Sequence, residues 1–239
     1  MRKSVAAAIA ASALSGCQVH AQEESGPTVS RNYQVGNFQE IEVAGPYDVE
    51  VRTGANASVS AKGSEKLLER TIVEVKGNKL VIHPQKRAGI FSFGWGHRGK
   101  ASFTVTVPQL SGATIAGSGD IRVDKVQGNS FEGVVAGSGA LNVGAFDVQQ
   151  LKLAIAGSGD VRGADKAQTA KYDIAGSGDV DAGAVQTQDL KVSIAGSGGI
   201  KAHSSGTADV SIMGSGDVEV TGGAKCKVSK AGSGDVRCS

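Results

Sequence analysis

The sequence predicts an all-β solenoid, a parallel β-helix, and three observations lead to this fold class. A Gly-Ser-Gly motif recurs from residue 117 to the end of the chain, its copies start 18 to 20 residues apart, and apolar residues keep fixed offsets from each copy. A period in this range is typical of stacked repeats. The first glycines of the seven copies are Gly117, Gly137, Gly157, Gly176, Gly196, Gly214 and Gly232.

Short strands are predicted on both sides of each motif. The residues two positions before the first glycine and four positions after it are almost all branched and apolar, and their neighbours are small or polar, which is the period of a strand. The first set is Ile115, Val135, Ile155, Ile174, Ile194, Ile212 and Lys230, and the second is Ile121, Leu141, Val161, Val180, Ile200, Val218 and Val236. Coils of about 19 residues leave no room for a helix, which excludes the leucine-rich and helical solenoids.

The motif itself is predicted to form the corner of each coil. Glycine reaches positive φ without a Cβ clash, so Gly117 and Gly119 suit a sharp corner, and the small Ser118 lets successive corners approach closely. An aspartate follows the motif in five copies, and Ala140 and Gly199 interrupt this column. The aspartates are Asp120, Asp160, Asp179, Asp217 and Asp235.

Two interpretations of the aspartate column are open. Stacked carboxylates can bind a hard cation such as calcium, which takes several oxygen ligands. Alternatively, each aspartate accepts backbone N–H bonds at its own corner, as aspartate does in turns. We favour the second, because calcium-binding nonapeptide solenoids place aspartate in a Gly-Gly-x-Gly-x-Asp pattern at about half this period. We therefore predict no metal site and no cofactor.

Residues 34–110 have a strand-rich but irregular pattern. Apolar residues alternate from Phe38 to Val51, with a turn indicated at Gly45-Pro46. The segment from Ser64 to Arg70 has a capping start and is predicted as one helical turn. We predict larger, irregular coils here, which continue the stack of regular repeats in residues 111–239.

Several short motifs together resemble those of one bacterial envelope family. They are Gly36-Asn37-Phe38 with Ile41 to Val51, Gly63-Ser64, Leu67-Leu68, and Pro108-Gln109-Leu110 leading into the first Gly-Ser-Gly-Asp corner. On these motifs, roughly residues 34 to 237 resemble the GIN domain family, the head domain of "putative auto-transporter adhesins". The resemblance implies a single-stranded right-handed β-helix over residues 34–239. It implies no catalytic residues.

Residues 1–17 have the features of a lipoprotein-type signal peptide, with two cations, a short apolar stretch and small residues before Cys17. Cys17 would then be lipidated and would anchor the protein to a membrane. Because Gln18 is not aspartate, the resemblance to Gram-negative lipoproteins implies the outer membrane. The alternative is cleavage after Val19-His20-Ala21, which would release a soluble periplasmic protein. We favour the lipoprotein, with residues 18–33 as a polar tether.

Cys226 and Cys238 belong to the final coil and are predicted to form a disulfide, which suits an oxidising compartment. The bridge would stabilise a coil that has only one neighbouring coil. Two unpaired buried cysteines are the alternative. Lys230 takes an apolar position in this coil, as expected of a capping repeat that faces water.

The charge balance argues against a nucleic-acid partner. The chain has 25 Lys and Arg residues and 23 Asp and Glu residues. Loss of residues 1–17 would remove two cations and leave a formal charge of zero. No basic face of the kind that phosphate recognition uses is indicated.

One aromatic segment is predicted to make contacts. It contains the only Trp of the chain and two of its six Phe residues, flanked by cations. The residues concerned are Arg87, Phe91, Phe93, Trp95 and Arg98. As a protruding hairpin they would offer a surface for a glycan, a lipid headgroup or a protein, because exposed aromatics bring contact area at low entropic cost. The alternative is that they fold back as a lid on the solenoid.

These observations together predict a non-enzymatic, exported bacterial envelope protein that acts as an adhesin or surface-binding module. The alternative is a periplasmic structural protein that forms homo-oligomers through the unpaired edges of its end coils. A polysaccharide-active enzyme is a third hypothesis, which would require a groove of carboxylates with Arg or Lys on adjacent coils. The histidines, His20, His83, His97 and His203, show no metal-ligand spacing and no catalytic arrangement.

Overall fold

The computed structural model describes residues 26–85 and 100–239 and shows a parallel β-helix, which confirms the predicted fold class. In its first half the elements are β1 (Thr28–Tyr33), β2 (Glu40–Ala44), β3 (Asp48–Thr53), β4 (Ser58–Ser64), α1 (Glu65–Glu69), β5 (Thr71–Lys76), β6 (Lys79–Pro84) and β7 (Ala101–Val107). In its second half they are β8 (Gly112–Gly117), β9 (Asp120–Val123), β10 (Val126–Gly137), β11 (Ala140–Gly157), β12 (Asp160–Gly176), β13 (Asp179–Gln186), β14 (Asp189–Gly196), β15 (Gly199–His203), β16 (Thr207–Gly214), β17 (Asp217–Thr221), β18 (Lys225–Gly232) and β19 (Val236–Cys238).

The repeats stack in register, so that equivalent apolar residues form continuous columns. Val135 pairs with Ile155, which pairs with Ile174, and the column continues through Ile194 and Ile212. Each of these side chains is at most 2% exposed. Full burial of one such side chain stabilises the fold by about 1.5–3 kcal/mol. A single coil could not bury it, so the stability of the repeats depends on stacking.

Two aromatic rings pack against each other inside the first regular coils. The ring centroids of Phe131 and Phe146 lie 5.6 Å apart, and both rings are buried. Gly163 makes room for the second ring, since a Cβ at this glycine would lie 2.2 Å from it. The pairing between β11 and β12 shifts register at this point. A larger residue at position 163 would therefore displace Phe146.

The irregular coils of the first half do not stack in sequence order. β2 pairs in parallel with β8 on one side and with β6 on the other, while β3 pairs with β9 and β7. Gly45, at φ 129°, forms the corner between β2 and β3. The β2–β3 coil therefore lies between two coils that both come later in the chain. The sequence analysis did not predict this order.

The N-terminal end of the solenoid is closed by antiparallel strands and a short helix. β1 pairs with β4, β4 pairs with β7, and β5 and β6 form a hairpin. Leu68 of α1 is 1% exposed and packs into the core. The hydroxyl groups of Tyr47 and Thr71 lie 3.1 Å apart beneath it, within hydrogen-bond distance. The predicted helical turn is confirmed and serves as part of a cap.

The predicted tether, residues 18–33, is too long, because Thr28–Tyr33 form β1. This strand pairs with β4 over its whole length, from Thr28 opposite Ser64 to Tyr33 opposite Val59. A strand that shares ladder hydrogen bonds belongs to the domain. The domain therefore begins before residue 34. The polar composition of the segment had concealed the strand, since alternate side chains of β1 are exposed.

The last coil is closed by the predicted disulfide between Cys226 and Cys238, whose Cα atoms lie 6.6 Å apart. Cys226 is half-buried against the core, whereas Cys238 is exposed because no further coil covers it. Lys230 is exposed at its apolar position, and its Nζ donates to the carbonyl oxygen of Gly234 at 2.6 Å. This end of the solenoid is therefore closed by a disulfide bond and carries an exposed lysine.

Successive corners approach so closely that no side chain fits between them. Gly157 has φ 134°, and a Cβ there would lie 2.3 Å from the carbonyl oxygen of Gly137. That oxygen accepts the backbone N–H of Ser158 at 2.9 Å. The same bond recurs from corner to corner at 2.9–3.0 Å, so the ladder continues through the turns. Positive φ is confirmed for the first glycine of each motif but not for the second, where close approach alone requires glycine: a Cβ at Gly159 would lie 2.3 Å from the carbonyl oxygen of Gly139.

We expect Gly157→Ala to destabilise the protein by about 2–4 kcal/mol, because positive φ and the contact with the Gly137 carbonyl both oppose a side chain. Gly183→Ala is the matched control, since its φ lies outside the left-handed region and its nearest Cβ contact would be 3.7 Å. That variant should change stability by no more than about 0.5 kcal/mol. Urea unfolding followed by circular dichroism measures both, and equal stabilities would contradict the corner constraint.

Tyr172 is a fully buried polar side chain in the repeat core. It lies between Leu153 and Val192 in the parallel ladder. Its hydroxyl has no hydrogen-bond partner among the residues that the structure describes. Burial raises the pKa of Tyr172 well above its ordinary value, because the phenolate would be removed from water.

We expect Tyr172→Phe to be at least as stable as the wild type at neutral pH, because an unsatisfied buried hydroxyl costs about 1–3 kcal/mol. The raised pKa contributes stability that is present below the unfolded pKa of about 10 and is lost as the pH rises above it. The stability of Tyr172→Phe should therefore fall less steeply in alkali. Denaturant midpoints at neutral and alkaline pH measure both effects. Parallel pH profiles for the two proteins would count against this account.

Candidate functional site: a charged groove beside the corners

Some of the residues proposed for contact from the sequence lie outside the residues that the structure describes, 26–85 and 100–239. They are the lipidation candidate Cys17 and the aromatic segment residues Arg87, Phe91, Phe93, Trp95 and Arg98. The corner residues, from Gly117, Ser118 and Gly119 onward, are all described and stack along one edge.

The corner aspartates form a column, and three of them accept a hydrogen bond from the neighbouring coil, whereas the prediction had each aspartate bonding its own corner. The bonds join Asp120 Oδ1 to the N–H of Ala140 at 3.0 Å, Asp179 Oδ1 to that of Gly199 at 2.7 Å, and Asp217 Oδ1 to that of Asp235 at 2.8 Å. The serine N–H of each corner donates to the preceding coil, so this N–H is not free for the aspartate of its own corner. The aspartates therefore tie coils together.

The aspartate column extends one coil further than the repeats do. Asp48 pairs with Asp120 in the parallel ladder between β3 and β9. The sequence analysis missed this residue because its corner lacks the Gly-Ser-Gly motif. The signal was the spacing, since Asp48 follows Gly45 by the same three positions that separate Asp120 from Gly117.

A second outward column, which we call the charge ladder, lies two residues beyond the aspartates. It contains Arg162, Asp181, Lys201, Glu219 and Arg237, which pair in register from coil to coil. The sign of the charge alternates at every step. Towards the N-terminus the same column continues with Asn142 and Arg122. The sequence analysis missed the ladder, although all its members follow the first glycine by five positions.

A groove of about 410 Å³ is lined by the aspartate column and the charge ladder. It spans the coils from Asp160 to Arg237, roughly 19 Å, because neighbouring strands lie about 4.8 Å apart. Six acidic and three basic side chains line it, which gives a net charge of −3. Carboxylates beside cations on adjacent coils are the arrangement that a polysaccharide-active enzyme would require.

The charges of the groove are poorly paired with one another. Within the described residues, Asp181, Lys201, Glu219 and Arg237 make no ion pair shorter than 4.0 Å, although opposite signs lie on neighbouring strands. Arg162 lies 3.9 Å from Asp160. These side chains are therefore available to a partner from outside the chain.

The outer surface of the strands that precede the corners also carries charged residues, and some of these form ion pairs within the chain. Lys152 Nζ lies 2.6 Å from Glu132 Oε1, and this hydrogen bond raises the pKa of Lys152. Lys171 Nζ lies 2.7 Å from Asp173 Oδ2. Lys152 and Lys171 are thus neutralised within the chain, whereas Lys191 and Asp209, which follow them in the same column, make no ion pair shorter than 4.0 Å in the described residues.

Other polar groups lie away from the groove. His83, on β6, has Nε2 at 2.9 Å from Glu74 Oε1 and Nδ1 at 2.9 Å from the carbonyl oxygen of Pro84. In residues 26–85 and 100–239, no group of three or more His, Cys, Asp or Glu side chains is placed to hold a metal ion. The same part of the chain contains no helix long and apolar enough to cross a membrane.

We expect Asp179→Ala to lower the free energy of unfolding by about 1 kcal/mol, because the N–H of Gly199 loses its acceptor. Asp181→Ala, two residues along the same strand, removes a carboxylate without a hydrogen bond in the described structure and should change stability by less than about 0.5 kcal/mol. Chemical denaturation at one protein concentration compares them. A larger loss for Asp181→Ala would show that the aspartate column does not tie the coils together.

Solved structures of bacterial proteins share this fold. A "putative adhesin" from Bacteroides fragilis is 22% identical, with a TM-score of 0.80 over 89% of this chain and 97% of that chain. A "putative lipid binding protein" from Parabacteroides distasonis is 23% identical, with a TM-score of 0.69 over 90% and 97%. A "putative adhesin" from the same species is 19% identical, with a TM-score of 0.66 over 90% and 98%. No curated protein matches the chain.

Similarity at this level of identity shows the fold, and the family follows from the sequence itself. The family described as "Putative auto-transporter adhesin, head GIN domain" matches residues 37–224. The matched stretch runs from the coil of β2 and β3 to the turn before β18, and it contains the groove from Asp160 to Glu219. The chain therefore belongs to the GIN domain family, as its motifs had indicated.

Proposed function

We propose that this protein is an exported, non-enzymatic binding protein of the bacterial envelope that acts as an adhesin through the charged groove. The observation that carries the proposal is the set of unpaired charges of alternating sign, aligned over several coils. A repeated array of this kind suits a partner that offers many weak contacts, because linked contacts raise the overall affinity. The names of the family and of similar structures agree with a binding role.

The proposal includes lipidation of Cys17 and attachment to the outer membrane, in preference to release into the periplasm. β1 begins at Thr28 and lies at the capped end of the solenoid. Thr28 therefore lies at this end, and the coil of Cys226 and Cys238 lies at the other. A membrane anchor at Cys17 would leave the groove between the membrane and the far tip.

Self-association through the end coils is less well supported. β18 is the last of the strands that precede the corners, and it carries Lys225, Lys227 and Lys230. Charged side chains on an edge strand oppose pairing with another chain. The opposite end is covered by β1, β5 and α1. The groove is the better candidate for a contact surface.

Catalysis is not part of the proposal, although the groove combines carboxylates with cations. Asp179 and Asp217 each hold the N–H of the next coil. That structural role accounts for these carboxylates without a reaction. The aromatic segment around Trp95 is kept as a second contact surface, for a glycan or an envelope protein, and the same experiment below can follow it.

Protease treatment of intact cells tests the location. We expect cleavage within the solenoid and at the peptide from Phe91 to Trp95, with a periplasmic protein left intact as the control. Mass spectrometry of the same cells should find the lipid on Cys17. Protection until the outer membrane is opened would contradict the adhesin and would favour the periplasmic structural alternative.

Attachment of the displaying cells tests the groove. Lys201→Glu makes three consecutive members of the ladder acidic and should reduce attachment to other cells about tenfold or more. Lys191→Glu makes the same change on the outer surface of β14, where the groove is not affected, and should leave attachment unchanged. Equal loss in the two variants would remove the groove from the proposal.

A further inference from the structure

The charge ladder is complementary to a reversed copy of itself. Its signs run plus, minus, plus, minus and plus from Arg162 to Arg237. A reversed copy shifted by one coil places Arg162, Asp181, Lys201 and Glu219 each against an opposite charge and leaves Arg237 opposite Asn142. We propose that the groove is the contact surface between two antiparallel copies of this chain. This inference rests on the proposed function and names the partner of the same groove.

A two-fold axis defines the arrangement. The axis lies in the interface, perpendicular to the solenoid, and passes between the coils of Asp181 and Lys201. Rotation about this axis reverses the order of the coils in the second copy. The aspartate column then faces the aspartate column of the other copy, and the charge ladder faces the other charge ladder, as an isologous dimer requires. Asp181 then faces Lys201 of the second copy, and Arg162 faces Glu219. The symmetry makes each of these pairs twice.

The two interruptions of the aspartate column fit the same axis. Asp179 faces Gly199 of the second copy, and Asp235 faces Ala140. Two positions that break the Gly-Ser-Gly-Asp pattern thus lie where a second copy would otherwise bring carboxylates together. One like-charged pair, Asp160 with Asp217, remains and also occurs twice. The guanidinium of Arg162 lies 3.9 Å from Asp160 within the same chain.

Parallel pairing of two copies is less favourable. An axis along the solenoid would set the aspartate column of each coil against the ladder of the same coil. Asp179 would face Asp181, and Asp217 would face Glu219, and like charges directly opposite are destabilising. The parallel arrangement has two favourable contacts: that of Asp160 with Arg162 is already made within each chain, and only that of Asp235 with Arg237 would be new. The antiparallel arrangement is therefore preferred.

The contact between two copies would be weak, and it would fix the relative direction of the two solenoids. A groove of roughly 19 Å offers each copy less than the about 800 Å² of a standard interface, so a single pair is weak. Many such pairs between two surfaces that each display the protein densely would together hold the surfaces in contact. Antiparallel copies have their β1 ends at opposite ends of the pair. The pair consequently links two facing surfaces, and two neighbours anchored upright on one surface cannot form it.

Bead aggregation with charge reversal tests the pairing. The purified chain is coupled to beads of two colours, and mixed-colour aggregates are counted at low ionic strength. Wild-type beads should aggregate, and added salt should disperse them because it screens exposed charges. Lys201→Glu beads alone and Asp181→Lys beads alone should lose aggregation about tenfold or more, since each variant sets like charges across the axis.

Mixing the two variants separates pairing from damage to the fold. Lys201→Glu beads mixed with Asp181→Lys beads should form two-colour aggregates, because each charge again faces its opposite. The double variant should aggregate by itself for the same reason. Lys191→Glu and Asp209→Lys, which make the same changes outside the groove, should aggregate like the wild type.

Two results would overturn the inference. One is wild-type beads that stay dispersed, and the other is a mixture of the two variants that does not aggregate although both give the circular dichroism of the wild type. If cells still attach through the groove to surfaces that lack this protein, such as an amino-sugar polymer, the proposed function stands and only the second copy is excluded as partner. If attachment through the groove also fails, the proposed function and the pairing of two copies are both excluded.

Discussion

The close approach of backbone at the corners is the constraint on which the rest of the structure depends. A Cβ at Gly157 or Gly196 would lie 2.0–2.3 Å from a carbonyl oxygen of the preceding coil. Only glycine lets the hydrogen-bond ladder continue through such a corner. The ladder fixes one register for every coil, and that register aligns the apolar columns inside and the charged columns outside. The surface chemistry of the groove is therefore set by a contact between main chains.

The periodic part of the fold could be predicted because its information is local. Each corner motif and its flanking valines and isoleucines specify one coil, and identical coils have one way to stack. The first half has no such repeat. Whether β2 pairs with β6, with β8 or with both depends on contacts between distant residues, which alternation alone does not encode. β1 was missed because half of its side chains face water and its composition resembles a tether.

The groove could be predicted in part. The aspartate column is visible in the motif, but the sequence does not show whether Asp179 bonds its own corner or the next coil, because both N–H groups lie close to it in space. The ladder has its own fixed offset, yet its meaning lies in the order of signs from Asp181 to Lys201 and onward. That order becomes a physical property only when the coils are stacked.

The placement of β2 and β3 between later coils has a consequence for how the chain acquires its structure. Val43 pairs with Ile115, 72 residues away, and its partner on the other side, Ile82, is also made later. Until those later strands are present, this coil has nothing to pair with. In the repeats, each new coil finds its neighbour only about 20 residues back, so loop closure there is inexpensive. We therefore expect folding to proceed coil by coil through the second half, while the beginning of the chain remains unpaired until strands that come later in the sequence are in place.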